Sequence, residues 1–205
     1  MRIAVIVLAA GRSRRFGPAD KLLADLDGAP VLVHTVRAVA TAGFDMLVVV
    51  TGEARAQIGD FLADFAVRLV PCPQDRYGMG YSIAAGVRAL DAEISGALIL
   101  PGDMPLITPQ AIADLVGVFR AHAGLRIVHA ADSAGAQRNP VIWPQPFFAD
   151  LARLEGPSGG KSLLAAASAA AVAVPVRDET NLFDIDDMAA LDEARAILRS
   201  RSAHS

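Results

Sequence analysis

The chain has 205 residues, of which 53% are hydrophobic, 5% aromatic and 20% charged, and its formal net charge at pH 7 is −3. This length is sufficient for one large domain or two small ones with a substantial apolar core, so no disulfide or structural metal is needed for stability. The weakly negative charge excludes a general attraction to nucleic acid or anionic membranes, and the apolar runs are too short or too interrupted for a transmembrane helix.

The N-terminus and the cysteine content favour a cytoplasmic location. Residues 1–11 combine one positive charge with a short apolar run, but they lack a cleavage region and continue into a glycine motif, unlike a secretory signal. Cys72 is the single cysteine of the sequence, so it cannot form an internal disulfide, which fits a reducing compartment. It lies between two prolines, and we interpret it as an inert thiol.

Short β-branched runs alternate with amphipathic segments along the chain. The runs are continuously apolar, which is typical of strands covered on both faces. Spacings of three and four between apolar residues predict the helices. The strands are expected at 3–8, 46–50, 67–70, 96–101, 126–130 and 140–144, and helices at 31–43, 53–65, 82–92 and 108–124. This order predicts a three-layer, doubly wound α/β fold with a mostly parallel sheet and right-handed crossovers.

Positive charge is concentrated directly after the first strand, in "LAAGRSRRFGPADKLL" (8–23). Small residues at 9–11 allow a ligand to approach the backbone N–H groups at the carboxyl edge of the sheet, where such folds bind ligands. A polyphosphate is the ligand that this stretch favours, because arginine and lysine both bind phosphate oxygens. The alternative is a solvated loop. With the negative charge of Asp20 subtracted, the stretch has a local charge of +3, and its basic residues are Arg12, Arg14, Arg15 and Lys21.

Two groups of carboxylates are candidates for a metal site. Asp103 follows the apolar run "LILPG" at the carboxyl edge of the sheet, where it is suited to Mg²⁺, although it could equally be a turn residue or a helix N-cap. A second group, at the start of a further helix predicted over 187–200, consists of Asp184, Asp186 and Asp187. These aspartates could instead cap that helix and interact with its dipole.

The stretch at 8–23 resembles the signature of the MobA-like nucleotidyltransferases, which is Leu-Ala-(Ala or Gly)-Gly-x-x-x-Arg-(Phe or Met)-Gly followed by a lysine. It is most similar to the molybdenum cofactor cytidylyltransferase branch. Four later segments resemble family motifs in the same order: "GMGYSIAAGV" (78–87), "LILPGDMPLI" (98–107), "RNPVIWP" (138–144) and "FDIDDMAALDEA" (183–194). The resemblance implies a Rossmann-like nucleotidyltransferase fold in a single domain over 1–199, with a nucleotide-binding part at about 1–107, an acceptor-binding part at about 108–199 and a disordered tail at 200–205.

The same resemblance assigns roles to individual residues. Arg15 and Lys21 would hold the triphosphate and act in catalysis with Asp103, while Asp103 and Asp186 would bind Mg²⁺ and Asp187 would cap the last helix. Gly78 and Gly80 would let the backbone approach the base, and Ser82 would open the following helix. The full nucleotide-binding set is Leu8, Ala9, Ala10, Gly11, Arg15, Lys21, Gly78, Gly80 and Ser82.

The acceptor side is predicted in the strand that holds Asn139 and in the segment "GPSGGKS" (156–162). That segment approaches the Walker A pattern, but Glu155 stands where a glycine is required and no strand precedes it, so we exclude an ATPase loop. Gly159, Gly160 and Lys161 could form an acceptor-phosphate nest at the start of a helix near Ser162, with a plain loop as the alternative.

These features predict an Mg²⁺-dependent enzyme that transfers CMP from CTP to a molybdopterin-type cofactor and releases pyrophosphate. Cytidine is favoured because Ala10 stands where the guanylyl branch has glycine, and its methyl group should narrow the base pocket. One alternative is cytidylyl, uridylyl or guanylyl transfer to another small phosphorylated acceptor. The other is a non-catalytic, nucleotide-binding chaperone that delivers cofactor to a molybdenum hydroxylase. The hydroxylase apoenzyme is an expected partner, whereas nucleic acid and membranes are not.

Overall fold

A computed structural model of the chain describes residues 1–11, 16, 20–72 and 78–203. Its strands are β1 Arg2–Ala9, β2 Asp25–Leu26, β3 Ala29–Pro30, β4 Met46–Thr51, β5 Arg68–Pro71, β6 Ile94–Pro101, β7 Ile127–Ala131, β8 Gln137–Pro144 and β9 Ala171–Pro175. Its α-helices are α1 Val31–Ala42, α2 Arg55–Phe61, α3 Met79–Arg88, α4 Pro109–Ala121, α5 Phe148–Leu151, α6 Lys161–Ala166 and α7 Met188–Ser202. Short 3₁₀ helices cover Lys21–Leu23, Gln145–Phe147, Ser168–Ala170 and Glu179–Leu182.

Seven strands form one sheet in the order β5-β4-β1-β6-β8-β7-β9, and β2 pairs with β3 in a separate hairpin. Strand β8 is antiparallel to both β6 and β7, whereas the other pairings in the large sheet are parallel. The predicted mostly parallel α/β sheet is therefore confirmed. Because β8 runs the opposite way, its first residues lie at the edge where the parallel strands end, which is the ligand-binding edge of such sheets.

The core consists of two layers, one on each face of the sheet. In β1 the odd-numbered side chains from Ile3 to Ala9 join the layer under α1, α2 and α4, and the even-numbered Ala4 and Ile6 join the layer under α3 and α5. This alternation is the period-2 pleat of a strand with helices on both faces, and it explains the continuous apolar runs of the sequence. A third, smaller cluster packs α7 against the β2–β3 hairpin.

The helix ends are formed by residues with typical capping chemistry. The side chain of Thr108 accepts a hydrogen bond from the N–H of Ala111, with Pro109 at the first helical position. Gly43 and Gly124 adopt positive φ of 74° and 69° directly after α1 and near the end of α4. At the start of α7, Asp187 accepts from the N–H of Ala190, so its predicted capping role is confirmed.

The structure also differs from the sequence-based expectations. Strand β9 and the β2–β3 hairpin were not predicted. Helix α7 extends to Ser202, so the prediction of a disordered tail is wrong for its first three residues; residues 204–205 lie outside the described part. Among the described residues, no helix combines the length and the apolar character that crossing a membrane requires.

Candidate active site

The carboxyl ends of β1 and β6 are joined by their backbones, and this junction positions Asp103. The N–H of Gly102 donates to the carbonyl of Leu8 at 2.9 Å, and the buried hydroxyl of Thr35 donates to the carbonyl of Gly102 at 3.0 Å. A Cβ on Gly102 would lie only 2.8 Å from Leu32 Cδ1 and 3.0 Å from the Leu8 oxygen, so the approach depends on glycine. Asp103 thus follows β6 at the predicted edge.

A backbone hydrogen bond brings the second acidic segment to Asp103. The N–H of Ile185 donates to the carbonyl of Asp103 at 2.9 Å. The buried Ile185 side chain belongs to the same apolar cluster as Phe16 and Leu106, so this cluster joins the signature loop, the segment after β6 and the segment before α7. Asp186 therefore reaches Asp103 although the two are far apart in sequence.

Lys21 reaches both carboxylates from the segment that follows β1. It begins the 3₁₀ helix Lys21–Leu23, whose first turn is capped by the Asp20 carboxylate accepting from the N–H of Leu22 at 3.0 Å. Its ammonium Nζ lies 2.5 Å from Asp103 Oδ2 and 3.2 Å from Asp186 Oδ1. The side chains of Lys21 and Asp103 are only 16% and 13% exposed, whereas that of Asp186 is 41% exposed. Three of the predicted site residues thus form one charged cluster.

Burial dominates the electrostatics of this cluster. It raises the pKa of Asp103 above its usual value, because the opposing attraction of Lys21 is smaller than the cost of removing the carboxylate from water. Burial lowers the pKa of Lys21, but the two carboxylates outweigh it and the net shift is upward. In addition, Asp103 Oδ1 is buried and has no hydrogen-bond partner among the described residues. Within the described residues, the two carboxylates thus face the Lys21 ammonium.

This donor set fits a hard divalent cation. Carboxylate oxygens are the ligands that Mg²⁺ takes in proteins, usually one or two of them together with water and substrate phosphates. Asp103 Oδ1 supplies an acceptor that no donor in the described part of the chain satisfies, and Asp186 is accessible from solvent. Within the described ranges, no group of three His, Cys, Asp or Glu side chains is arranged to hold a metal.

The glycine-rich turn after β1 lies at the same edge of the sheet. Ala9 is buried, Leu8 and Ala10 are partly buried, and Gly11 is exposed. Ala10 packs against the layer that contains Cys72 and Ile83, which are both buried. Arg15, together with Arg12 and Arg14, lies outside the described residues, so its predicted role in holding the triphosphate remains a prediction.

The segment at 78–87, which was predicted to contact the base, packs against the turn at 155–157. This packing gives its glycines a structural role that the sequence did not indicate. A Cβ on Gly78 would lie 2.2 Å from the carbonyl oxygen of Gly156, and one on Gly80 would lie 2.6 Å from that of Glu155. The N–H of Gly80 donates to the Gly156 carbonyl at 3.0 Å. Both glycines are therefore required by backbone packing, and their contact with a base stays a prediction.

Ser82 does not open a helix, which corrects the prediction. Helix α3 begins at Met79 with Gly78 as its N-cap, so Ser82 lies in the first turn, buried. Its hydroxyl donates to the Cys72 sulfur at 3.6 Å. The prediction failed because the glycines at 78 and 80 have low helix propensity. The packing of residues 155–157 against them stabilises the start of the helix despite that propensity.

The predicted acceptor residues fall into two places. Asn139 is half-buried near the start of β8, two residues before Val141, which pairs with Ile99 of β6; it therefore lies at the ligand-binding edge. Gly159 and Gly160 instead face protein, because Cβ atoms there would lie 2.8 Å from Met79 Sδ and 3.0 Å from Trp143 Cζ2. Lys161, rather than Ser162, begins α6, and its side chain is exposed.

A cleft of about 470 Å³ borders the site and was not identified from sequence. Asp184 and Asp187, which flank Asp186, line it together with Leu182, Phe183 and Arg138. Arg138 donates to Asp132 at 3.0 Å across the cleft wall. The acidic motif at 184–187 and the arginine before Asn139 were visible as separate signals, but nothing in the sequence indicated that they share one cavity.

A doubly wound sheet thus presents a lysine and a carboxylate pair at the carboxyl edge of its central strands, which is the site that the resemblance to nucleotidyltransferases implies. Comparison with known families agrees. The model of the MobA-like NTP transferase domain matches residues 5–174, and the chain belongs to this family.

Two curated relatives illustrate the range of the family. A probable molybdenum cofactor guanylyltransferase of Haloferax mediterranei is 37% identical over 121 residues, which are 58% of this chain and 56% of the relative. The bifunctional protein GlmU of Dinoroseobacter shibae is 35% identical over 136 residues, which are 64% of this chain and 30% of the relative. The chain therefore spans less than two thirds of the length of either.

Solved structures match over nearly the whole chain. A nucleotidyl transferase from Methanothermobacter superposes with a TM-score of 0.82 at 25% identity, covering 97% of this chain and 99% of that one. A manganese complex of Rv0371c from Mycobacterium tuberculosis H37Rv gives a TM-score of 0.77 at 23% identity, with 96% and 99% covered. The second likeness concerns the fold alone.

Proposed function

We propose that this nucleotidyltransferase transfers CMP from CTP to a molybdopterin-type cofactor and that it uses Mg²⁺. The observation that carries the proposal is the cluster of Lys21, Asp103 and Asp186 at the carboxyl edge of β1 and β6. The resemblance of the signature to the cytidylyltransferase branch and the match to a molybdenum cofactor guanylyltransferase support the choice of acceptor.

The reaction is an in-line displacement at phosphorus. A phosphate oxygen of the acceptor forms a bond to the α-phosphorus of the nucleotide, the bond from that phosphorus to the bridging oxygen breaks, and pyrophosphate leaves with the electron pair. The attacking oxygen is already anionic, so no protein nucleophile is required. Catalysis then consists of positioning the reactants and neutralising the charge that develops on the phosphates.

The residues of the site divide this work. Asp103 and Asp186 would hold the metal ion, which when bound neutralises phosphate charge and orients the triphosphate. Lys21 would neutralise the departing pyrophosphate, together with Arg15. The turn from Leu8 to Gly11, with Gly78, Gly80 and Ser82, would surround the nucleoside, and Ala10 would narrow the space for the base.

The acceptor would approach at the carboxyl edge of the sheet, beside Asp186. Asn139 lies at the same edge and would contact the acceptor near its phosphate. Gly159, Gly160 and Lys161 would contribute the more distant phosphate nest, through the exposed Lys161 side chain.

Pyrophosphate release tests the proposal. Purified protein is incubated with Mg²⁺, molybdopterin and one of CTP, GTP, UTP or ATP, and the pterin product is identified by mass spectrometry. We expect the highest kcat/KM with CTP, and we expect Ala10→Gly to reduce the preference for CTP over GTP by about tenfold or more, since pocket contacts of this size discriminate by about 1–3 kcal/mol. Tight pterin binding without pyrophosphate release from any nucleotide would instead indicate the non-catalytic chaperone.

Guanylyl transfer is the second candidate, because the molybdenum cofactor relative described above is a guanylyltransferase. The same assay separates the two enzymes, since GTP would then give the higher kcat/KM. Transfer to another small phosphorylated acceptor, the alternative predicted from the sequence, is tested by replacing molybdopterin with a sugar phosphate.

A further inference from the structure

The Lys21 ammonium lies between the two carboxylates proposed as metal ligands. Its Nζ is within ion-pair distance of both Asp103 Oδ2 and Asp186 Oδ1. Asp103 thus has one oxygen bound to lysine, while the other, Oδ1, is buried and meets no hydrogen-bond donor from residues that the structure describes. The positive charge that the described residues place at this carboxylate pair is therefore an ammonium group.

A divalent cation and this ammonium cannot both use the carboxylate pair well. A metal ion bridging Asp103 and Asp186 would lie within a few ångströms of Nζ, because both cations require the same two side chains. Two positive charges at such a separation in a mostly buried site repel each other strongly. Entry of the metal therefore requires the ammonium to move.

The contacts of the lysine allow its side chain to move without its backbone. The Asp20 carboxylate caps the 3₁₀ helix, and Leu22 is buried in the main core. The N–H of Ala24 also donates to the Lys21 carbonyl at 3.3 Å. By contrast, the lysine side chain is a flexible four-carbon stem that can carry its charge to another anion within reach.

We propose that Lys21 acts as a placeholder for the divalent cation in the nucleotide-free protein and moves to the phosphates when nucleotide binds, so that the metal enters with the nucleotide rather than before it. The proposal rests on the proposed function for the identity of the triphosphate. It gives Lys21 a role in the order of binding in addition to its role toward the leaving group. It also gives the carboxylates a counter-charge while no substrate is present.

Metal binding without nucleotide tests this directly. Free Mn²⁺ is measured by electron paramagnetic resonance during titration of the nucleotide-free wild type and of Lys21→Met. We expect Lys21→Met to bind Mn²⁺ about tenfold or more tightly than the wild type, because a unit positive charge next to the dication is removed. Equal or weaker binding by Lys21→Met would overturn the proposal.

The chain provides a matched control, since its sequence contains only one other lysine, Lys161. Lys161→Met removes the same charge at an exposed position and should leave Mn²⁺ affinity unchanged. Lys21→Arg keeps the charge and should bind as weakly as the wild type. The gain should disappear in Lys21→Met/Asp103→Asn, and its persistence there would locate the metal elsewhere and contradict the proposal.

Folding and catalysis are controlled separately. Circular dichroism and thermal melting establish that each variant is folded, and Lys21→Gln replaces the methionine variant if that one is not. The outcome does not depend on turnover: failure of every nucleotide in the pyrophosphate assay would reject the proposed function, whereas unchanged Mn²⁺ affinity in a folded, neutral Lys21 variant would reject the placeholder alone.

Discussion

Asp103 is held in place by its backbone, so its side chain can be changed without displacing the segment that carries it. Its carbonyl accepts from Ile185, and the preceding Gly102 is bound to Leu8 and Thr35. None of these contacts uses the carboxylate. A change confined to the carboxylate should therefore act on chemistry rather than on folding.

We accordingly expect Asp103→Asn to lower turnover by about 10² or more while the far-ultraviolet circular dichroism spectrum is unchanged. The loss corresponds to several kcal/mol of charge stabilisation that an amide cannot supply to a metal-bound phosphate. Steady-state pyrophosphate release measures it. Asp150→Asn, at an exposed position of helix α5, serves as the control with the same change of charge. Near-normal turnover of Asp103→Asn would contradict the assignment of this residue to the metal.

Two helical glycines provide a paired test of the packing at the start of α3. A Cβ on Gly80 would lie 2.6 Å from the Glu155 carbonyl oxygen, whereas a Cβ on Gly117 in α4 would meet no atom within 4 Å. We expect Gly80→Ala to lower the free energy of unfolding by about 1–3 kcal/mol through overpacking. Gly117→Ala should raise it by about 0.5–1 kcal/mol, which is the difference in helix propensity.

Urea denaturation of the two glycine variants measures both effects. If Gly80→Ala were as stable as the wild type, the turn at 155–157 would not be packed against α3 as described. The sequence could not reveal this role, because the atoms that exclude a side chain at Gly80 belong to a distant segment. A family motif marks such a position as glycine without giving the reason.

At the scale of elements, six of the seven strands of the large sheet were predictable, whereas the edge strand β9 and the β2–β3 hairpin were not. Strands such as β1 and β4 are covered by helices on both faces, so their continuous apolar runs are an unambiguous signal. Strand β9 follows an alanine-rich stretch that favours helix, and only its parallel pairing with β7 decides its conformation. The β2–β3 hairpin has two residues in each strand, which is too short for any periodic pattern.

The 3₁₀ helix Glu179–Leu182 and the residue before it form hydrogen bonds to both α7 and the start of α4. These contacts position the segment that carries Asp186. The buried Asn181 accepts from both the N–H and the hydroxyl of Thr108, at 2.8 Å each. Asp178 accepts from the N–H of Thr180 at 2.9 Å and contacts Arg201 of α7 at 3.0 Å. This junction orients the acidic motif toward Asp103 from outside the sheet.

The junction should make stability depend on pH in a predictable direction. Hydrogen bonds from Thr180, followed by the Arg201 guanidinium, lower the pKa of Asp178 below its usual value. A carboxylate whose pKa is lower in the folded state stabilises the protein above the unfolded value of about 3.9 and loses that contribution as the pH falls through the folded value.

We therefore compare the wild type with Asp178→Asn, which keeps an acceptor at the cap but does not titrate. The free energies of unfolding from urea melts should differ most at pH 7, with the wild type more stable, and the difference should shrink below about pH 4. The effect is modest because the Asp178 side chain is more than half exposed. A difference that stays constant from pH 7 to pH 3 would show that Asp178 does not act through its charge.

At the scale of the whole molecule, the predicted nucleotide and acceptor parts share one hydrogen-bonded sheet. Strand β6 pairs with β1 on one side and with β8 on the other, so the two parts meet within a continuous ladder. The sequence predicted which residues gather at the carboxyl edge, because that edge follows from strand order alone. It did not predict the cleft beside Asp186, whose walls come from segments that approach one another only in the folded chain.

Ligand binding should therefore stabilise the chain as a single unit. A ligand bound only by the native state adds about 2.7 kcal/mol when its concentration is 100 times its Kd. For about 200 residues this raises the melting temperature by roughly 5–10 °C. In a thermal-shift screen of CTP, GTP, UTP and ATP with and without Mg²⁺, we expect one transition, with the largest shift for CTP together with Mg²⁺.

The shift in melting temperature should depend on both ligands together. Linkage requires that a metal which strengthens nucleotide binding is itself bound more tightly in the presence of nucleotide. Mg²⁺ alone should shift the melting temperature little, because Lys21 already neutralises part of the charge of Asp103 and Asp186. Two separate transitions, of which only one responds to nucleotide, would contradict the single domain predicted over 1–199. An equal shift by Mg²⁺ with and without CTP would show that metal and nucleotide bind independently, and the carboxylate pair would then not lie against the triphosphate.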